Sequence, residues 1–178
     1  MAAGPNSVDP FVALIIAAEA TTTLRVGPLV LNNEFHQPAL LARTVISVDQ
    51  MTQGRLVLGM GTGYAQAEHE AIGVRLRAPG PRVTRFGESL QVLRELCDIG
   101  SCTFDGDHHQ IDISELGIRP VQQRIPFLIG GHGRRVVSLA GQHADIFQFT
   151  GLTHAADGTP SGGGFGIEQI RERAAWLT

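Results

Sequence analysis

Arg55-Leu-Val-Leu-Gly-Met-Gly-Thr-Gly-Tyr64 decides how the rest of the chain is read. Arg55 to Met60 is a short, nearly unbroken apolar run, the pattern of a parallel strand covered on both faces. It breaks into Gly59, Gly61 and Gly63, where a backbone without Cβ can turn sharply or let a ligand approach. Helical patterns stand on either side. Strand, glycine turn and helix in succession are the grammar of a β/α repeat, whose ligands gather at the carboxyl ends of the strands.

Towards the N-terminus, Asp9-Pro10 predicts an N-cap followed by proline at the first helical position. Phe11 to Thr21 then reads as a helix whose apolarity all round implies burial. Leu24 to Leu31 reads as a strand, and Pro28 inside it marks an edge or a bulge. After the polar loop Asn32 to Gln37, Pro38 opens a helix with Leu41, Val45, Val48 and Met51 on one face, stopped by Gly54.

Towards the C-terminus, Ala65 to Ile72 fits a short helix carrying His69 and Glu70, and Ala78-Pro-Gly-Pro81 punctuates the chain. Val83, Phe86, Leu90, Leu93 and Cys97 then recur at helical spacing, with Arg85, Glu88, Arg94 and Glu95 elsewhere on the wheel. Thr103 to Ile111 predicts a small hairpin turning at Asp105-Gly106. Ile125 to Ile129 is another short apolar strand, Val136 to Ala140 opens a helix, and Ala144 to Phe149 is one more buried strand. Gly158 to Gly166 predicts a mobile loop, and Ile167 to Leu177 a last helix. Four strands alternating with helices require parallel pairing and right-handed crossovers; the period alone does not say whether the sheet is open or closed.

The chain has 178 residues, 43% hydrophobic and 17% charged, which suits one globular domain. A net charge of −3 offers no nucleic-acid footprint. All 14 basic residues are Arg, which excludes a Schiff-base or P-loop lysine. Cys97 and Cys102 make no disulfide framework, and the apolar part of Phe11 to Ala20 is too short to span a bilayer. A soluble, cytoplasmic setting is the expectation.

Gly130-Gly-His-Gly-Arg-Arg135 joins a strand to a helix, so its N–H groups meet the positive helix end with two Arg nearby, a candidate phosphate site. Gly59-Met-Gly-Thr-Gly63 is either a tight turn or a second such site, and it lacks the G-x-G-x-x-G spacing of a dinucleotide fingerprint. Asn32, His36, Tyr64 and His132 each follow a strand end and would converge on one mouth in a β/α barrel. Asp105, Asp107, His108 and His109 read as a hairpin tip, because neighbouring His side chains point to opposite faces of a strand; no metal site is assigned. Nor does His69-Glu70 have the second His of an H-E-x-x-H site.

The order of several pieces resembles the luciferase-like monooxygenase family of flavin- and deazaflavin-dependent enzymes. These are Leu24-Arg-Val-Gly-Pro-Leu-Val-Leu-Asn32, Pro38 to Arg43, Gly54 to Tyr64, Arg82 to Leu96, Phe104-x-Gly106, Pro126 to Gly133 and Ala140 to Ile146, spanning roughly residues 8–150. Among its branches the chain is most similar to actinobacterial deazaflavin-dependent oxidoreductases. The resemblance implies a TIM barrel, coenzyme F420 or FMN as cofactor, and hydride or oxygen chemistry on a small organic substrate. It implies a bulge with a cis Leu29–Val30 bond behind the central ring, Asn32 facing the ring or its tail, and Gly61 and Gly63 lining the mouth. The phosphate falls to Gly130, Gly131, His132, Gly133 and Arg134. Tyr64 stands where some relatives place an acidic catalytic residue, and a phenol is the weaker proton-transfer group, so with His36 it stays a catalytic candidate in an unassigned step.

About 250 residues make a complete (β/α)8 barrel. The expectation is therefore a single, incomplete barrel domain over 1–178, about four of eight strands, with a hairpin insertion at about 103–111. That implies a fragment, or a homo-oligomer covering exposed edges. Two other readings stay open: a catalytically inactive cofactor-binding module, and a doubly wound NAD(P) dehydrogenase using Gly59 to Gly63.

Overall fold

The computed structural model describes residues 8–151, 153–154, 160–161 and 165–178. Helix α1 (Pro10–Glu19) leads to β1 (Leu31–Asn32), a 3-10 turn at Asn33–Phe35, α2 (Pro38–Met51) and β2 (Leu58–Gly61). Next come α3 (Gln66–Ala71), α4 (Pro79–Asp98) and the hairpin strands β3 (Cys102–Asp105) and β4 (Gln110–Ile113). The chain continues through β5 (Phe127–Gly131), α5 (Arg134–His143), β6 (Ile146–Phe149), the short pair β7 (Thr153–His154) and β8 (Pro160–Ser161), and α6 (Ile167–Ala174). Part of the predicted loop 158–166 lies outside the described residues.

β1, β2, β5 and β6 form one parallel sheet in that order. Among the described strands the order never reverses, so they contain no switch point of the kind a doubly wound dehydrogenase uses. The arrangement is a partial (β/α)8 barrel with four parallel strands. One core joins sheet to helices: Leu58, Met60, Phe127 and Ile129 meet Val45 and Ile46 of α2 and Phe86, Leu90 and Leu93 of α4.

The predicted strand 24–31 is broken. Val26 bridges Leu56, and the ladder resumes at Leu31 opposite Met60, so five steps on one strand face four on the other. That count defines a bulge. It contains Pro28 and a cis Leu29–Val30 bond, as the resemblance implies.

Other boundaries shift for identifiable reasons. Gly59 lies inside β2 and not at its end, because a Cβ there would overlap the Pro28 carbonyl of the bulge pressed against it. Gly130 and Gly131 likewise belong to β5. Pro79 and Pro81 open α4 and do not interrupt it, since first-turn N–H groups have no helical partner to lose. Asp9 caps α1 through bonds of 2.9 and 3.3 Å from the Phe11 and Val12 N–H groups. However, α1 is not buried: it lays Phe11, Leu14, Ile15 and Ala18 on the core and leaves Val12 48% and Ile16 58% exposed. β6 begins at Ile146 and is an edge strand, not a buried one.

Candidate functional site

Side-chain alternation divides each strand between two faces. Leu58, Met60, Phe127 and Ile129 point to the helices. Gly59, Gly61, Leu128 and Gly130 therefore point inward, and the register sets Gly130 beside Gln148. Large aliphatic side chains fill the inside of most β/α barrels. Here three of those four inward positions are glycine, and Val30 lies across them: a Cβ on Gly61 would stand 2.8 Å from Val30 Cγ2, and one on Gly130 would stand 3.4 Å from Val30 Cγ1. Leu29 beside it is 69% exposed. The result is a shallow apolar shelf at the carboxyl ends of the strands.

Register places both glycine stretches on that end. Asn32 pairs with Gly61, Met60 with Ile129, and Gly131 with Phe149. Gly61 and Gly63 on one side and Gly130 to Arg134 on the other thus border a single mouth, and Tyr64 and His132 follow at the same strand ends. Gly63 has φ +75°, and a side chain there would overlap the Asn32 carboxamide. Gly131 is held small by Val136, 2.6 Å from its hypothetical Cβ. Internal packing, not a ligand, thus accounts for glycine at 61, 63 and 131.

Gly133 is different. It caps α5 without a side-chain bond, and a Cβ on it would meet nothing within 4 Å. Space is therefore open beside the positive N-terminal end of α5. A cavity of about 240 Å³ opens there, lined by Pro79, Gly80, Val83, Gly133, Arg135 and Val136. Arg135 is tied to α4 through Gly80 O (3.2 Å) and Thr84 Oγ1 (3.1 Å), whereas Arg134 is exposed. A larger groove of about 470 Å³ runs between α4 and α5 and includes Arg134 and Arg135 of the first turn of α5.

Beneath the mouth lies a charged network that sequence reasoning misses. The Glu34 side chain is fully buried, receiving Arg77 Nη1 at 2.7 Å and Arg85 Nη1 at 3.1 Å. Arg85 also donates to Asn33 O and His36 O, both at 2.8 Å. It locks the turn that follows β1. Burial, and then the Arg85 charge, push the His36 imidazole below its ordinary pKa against an opposing pull from Asp9. These effects favour the neutral imidazole of His36.

His69 is missed as well. It is completely buried on α3, and its Nε2 lies 3.0 Å from Asn32 Nδ2. A histidine one turn into the helix after a glycine-broken strand is the signal that could have found it.

The residues present fit a flat, phosphate-bearing cofactor: a glycine shelf with exposed Leu29 and Val30 for a ring, and the uncapped α5 terminus for an anion. Among the described residues no cluster of His, Cys, Asp and Glu could hold a metal, and no helix is long and apolar enough to cross a membrane.

The chain is 30% identical over 140 residues to a 5,10-methylenetetrahydromethanopterin reductase of Archaeoglobus fulgidus, covering 79% of this chain and 40% of that protein. It is 30% identical over 131 residues to an F420-dependent glucose-6-phosphate dehydrogenase of Amycolatopsis mediterranei, covering 73% and 39%. The coenzyme F420-dependent tetrahydromethanopterin reductase of Methanopyrus kandleri superposes with a TM-score of 0.76 at 21% identity, over 97% of this chain and 51% of that one. The chain thus spans about two fifths of these curated relatives and half of the solved structure. The sequence model of the luciferase-like monooxygenases matches residues 2–175, and the chain belongs to that family.

Proposed function

We propose that this chain forms the cofactor-holding side of an oxidoreductase that uses coenzyme F420 or FMN on a small organic substrate. One observation carries the reading: exposed Leu29 and Val30 lie over the inward Gly130, and β5 leads from there into an α5 terminus whose N-cap, Gly133, makes no side-chain bond. The names of the relatives agree, including an F420-dependent dehydrogenase and a riboflavin lyase solved with modified FMN.

The bound group would supply the hydride or oxygen chemistry, and the protein's part is to place and shield it. In this reading Leu29 and Val30 back the ring, and Asn32 offers its carboxamide to the ring or the tail. Gly130 to Gly133 let the phosphate reach the α5 N–H groups, and Arg134 closes over it. Neutral His36 and the Tyr64 hydroxyl are the candidates for moving a proton at the substrate.

Fluorescence titration of the protein with FMN and with F420 tests this. Saturable binding of one of them, weakened by Arg134→Ala, is the expected result. No binding of either up to about 1 mM, a free energy weaker than about −4 kcal/mol, would overturn it. Binding without turnover would assign the chain as a cofactor-holding module.

A further inference from the structure

Asn32 is the polar side chain that β1 delivers to the mouth, and its carboxamide is held on three sides. Its Oδ1 accepts the Glu34 N–H at 3.0 Å. The Gly63 backbone lies so close that a Cβ there would overlap the carboxamide. On the third side, Asn32 Nδ2 meets His69 Nε2 at 3.0 Å.

These contacts determine where the hydrogens lie. The Glu34 N–H can only donate, so the oxygen of Asn32 must face it and the amide nitrogen must face His69. An amide nitrogen can only donate in turn, so His69 Nε2 must accept. The ring proton then sits on Nδ1, which is buried and has no hydrogen-bond partner. Turning the carboxamide over to suit the other tautomer would set two donors against each other at the Glu34 N–H and still leave Nδ1 unpaired. Phe35, with its ring centroid 4.6 Å away and tilted by 50°, packs against the imidazole.

We propose that His69 is a positioning residue: as the neutral Nδ1–H tautomer it fixes the Asn32 carboxamide, leaving the second Nδ2 hydrogen to a bound cofactor. The role at the cofactor rests on the function proposed above; the arrangement of His69 and Asn32 does not. A phenyl ring at 69, slightly larger than imidazole, would keep an aromatic ring against Phe35 and remove the acceptor. Glutamine would restore an acceptor oxygen close to the place of Nε2.

The test begins without cofactor. In 15N-labelled protein the His69 ring should show an unprotonated Nε2 and a protonated Nδ1, and the Asn32 side-chain amide pair should shift in His69→Phe and return towards its native position in His69→Gln. A protonated Nε2 at neutral pH, or Asn32 resonances unmoved in His69→Phe, overturns the proposal. Fluorescence titration with FMN and F420 then reads the consequence. His69→Phe should bind about tenfold more weakly, and His69→Gln within about threefold of the native chain, the scale of one hydrogen bond. Equal affinity in all three overturns the positioning role. Should neither cofactor bind the native chain, the function proposed above fails, and the ring-nitrogen and Asn32 signals still decide the arrangement. Matched far-UV circular dichroism among the variants keeps a folding defect from being read as a loss of positioning.

Discussion

Gly133→Asp should make the protein more stable and at the same time a worse binder. The site tolerates a side chain, since a Cβ there meets nothing within 4 Å, and its φ of −75° and ψ of 140° are ordinary for an N-cap. Aspartate would accept from the first-turn N–H groups of α5 and place a negative charge at the positive end of the helix. Relative to glycine, capping adds a few tenths of a kcal/mol and the dipole term about 0.3–1, together about 1 kcal/mol. For a chain of this length that raises Tm by about 2–4 °C. A phosphate at the same N–H groups would lie about 5 Å from the new carboxylate, a repulsion of about 3 kcal/mol at an effective dielectric of about 20. That is on the order of a hundredfold in affinity. Gly133→Asn supplies the cap without the charge and should retain most of the affinity. Thermal melts and the fluorescence titration read the two effects separately. If the aspartate variant binds FMN or F420 as well as the native protein, or if asparagine loses as much as aspartate, the phosphate does not lie on α5.

Three further outcomes follow from the buried polar groups. Glu34→Gln leaves the Arg85 guanidinium buried without its counter-charge but still bonded to Asn33 O and His36 O. The expected loss is about 3 kcal/mol, a fall of roughly 1.5 M in the urea midpoint at an m-value of about 2 kcal/mol/M; a fall under about 0.5 M would contradict it. Burial foremost, then Arg85, hold the His109 imidazole at about 4, below its ordinary 6.5, against a raising effect from Glu88. The unfolded chain therefore binds the extra proton between those values, so this contribution is complete above about 6.5 and fades as the pH falls towards 4. His109→Gln, which keeps a donor for Ser89 Oγ, should flatten that slope, and an NMR titration midpoint near 6.5 would refute the assignment. Burial also pushes the Cys97 and Cys102 thiols up to about 12, so a disulfide reagent should label neither in the folded protein at neutral pH. Rapid labelling of either would contradict the packing at the foot of α4.

Apolar runs and helical spacing carry the parallel strands and the long helices, because those patterns are local. Whatever depends on a partner far along the chain is not legible that way. Arg85 reads as a solvent-facing charge on the wheel of α4, and only Glu34, 51 residues earlier, makes its burial possible. His69 reads as half of a failed metal motif until Asn32, 37 residues earlier, meets its ring. Gly59 passes for a turn until the bulge at Pro28 presses on it. For α1, apolarity all round correctly reports hydrophobicity, yet burial depends on neighbours that its own sequence does not encode. The family resemblance places the cis bond at Leu29–Val30, which no propensity or period would have suggested.

Buried polar groups secure both ends of the sheet, and what each end leaves unmet differs. At the amino ends of the strands most polar groups are consumed by structure, although the Arg94 Nε–H is buried without a partner. The buried Asp49 carboxylate accepts the Val121 and Gln122 N–H groups and the Gln122 side chain. Arg55 donates to the carbonyls of Ala18, Thr21 and Thr52. Arg94 stacks 3.6 Å from the Phe127 ring and pairs at 3.0 Å with Asp145, which in turn accepts the Phe127 N–H. At the carboxyl ends the Glu34–Arg85 network does the same for the turn after β1, but the α5 N-cap offers no side-chain bond and the His69 Nδ1–H is buried and unpaired. Unmet hydrogen-bonding capacity costs stability, and it is tolerated where a ligand can use it. Since so much of the framework is anchored at the opposite end, substitutions at Gly133 and His69 can alter binding while the fold persists, so the affinity tests above are decided by the site.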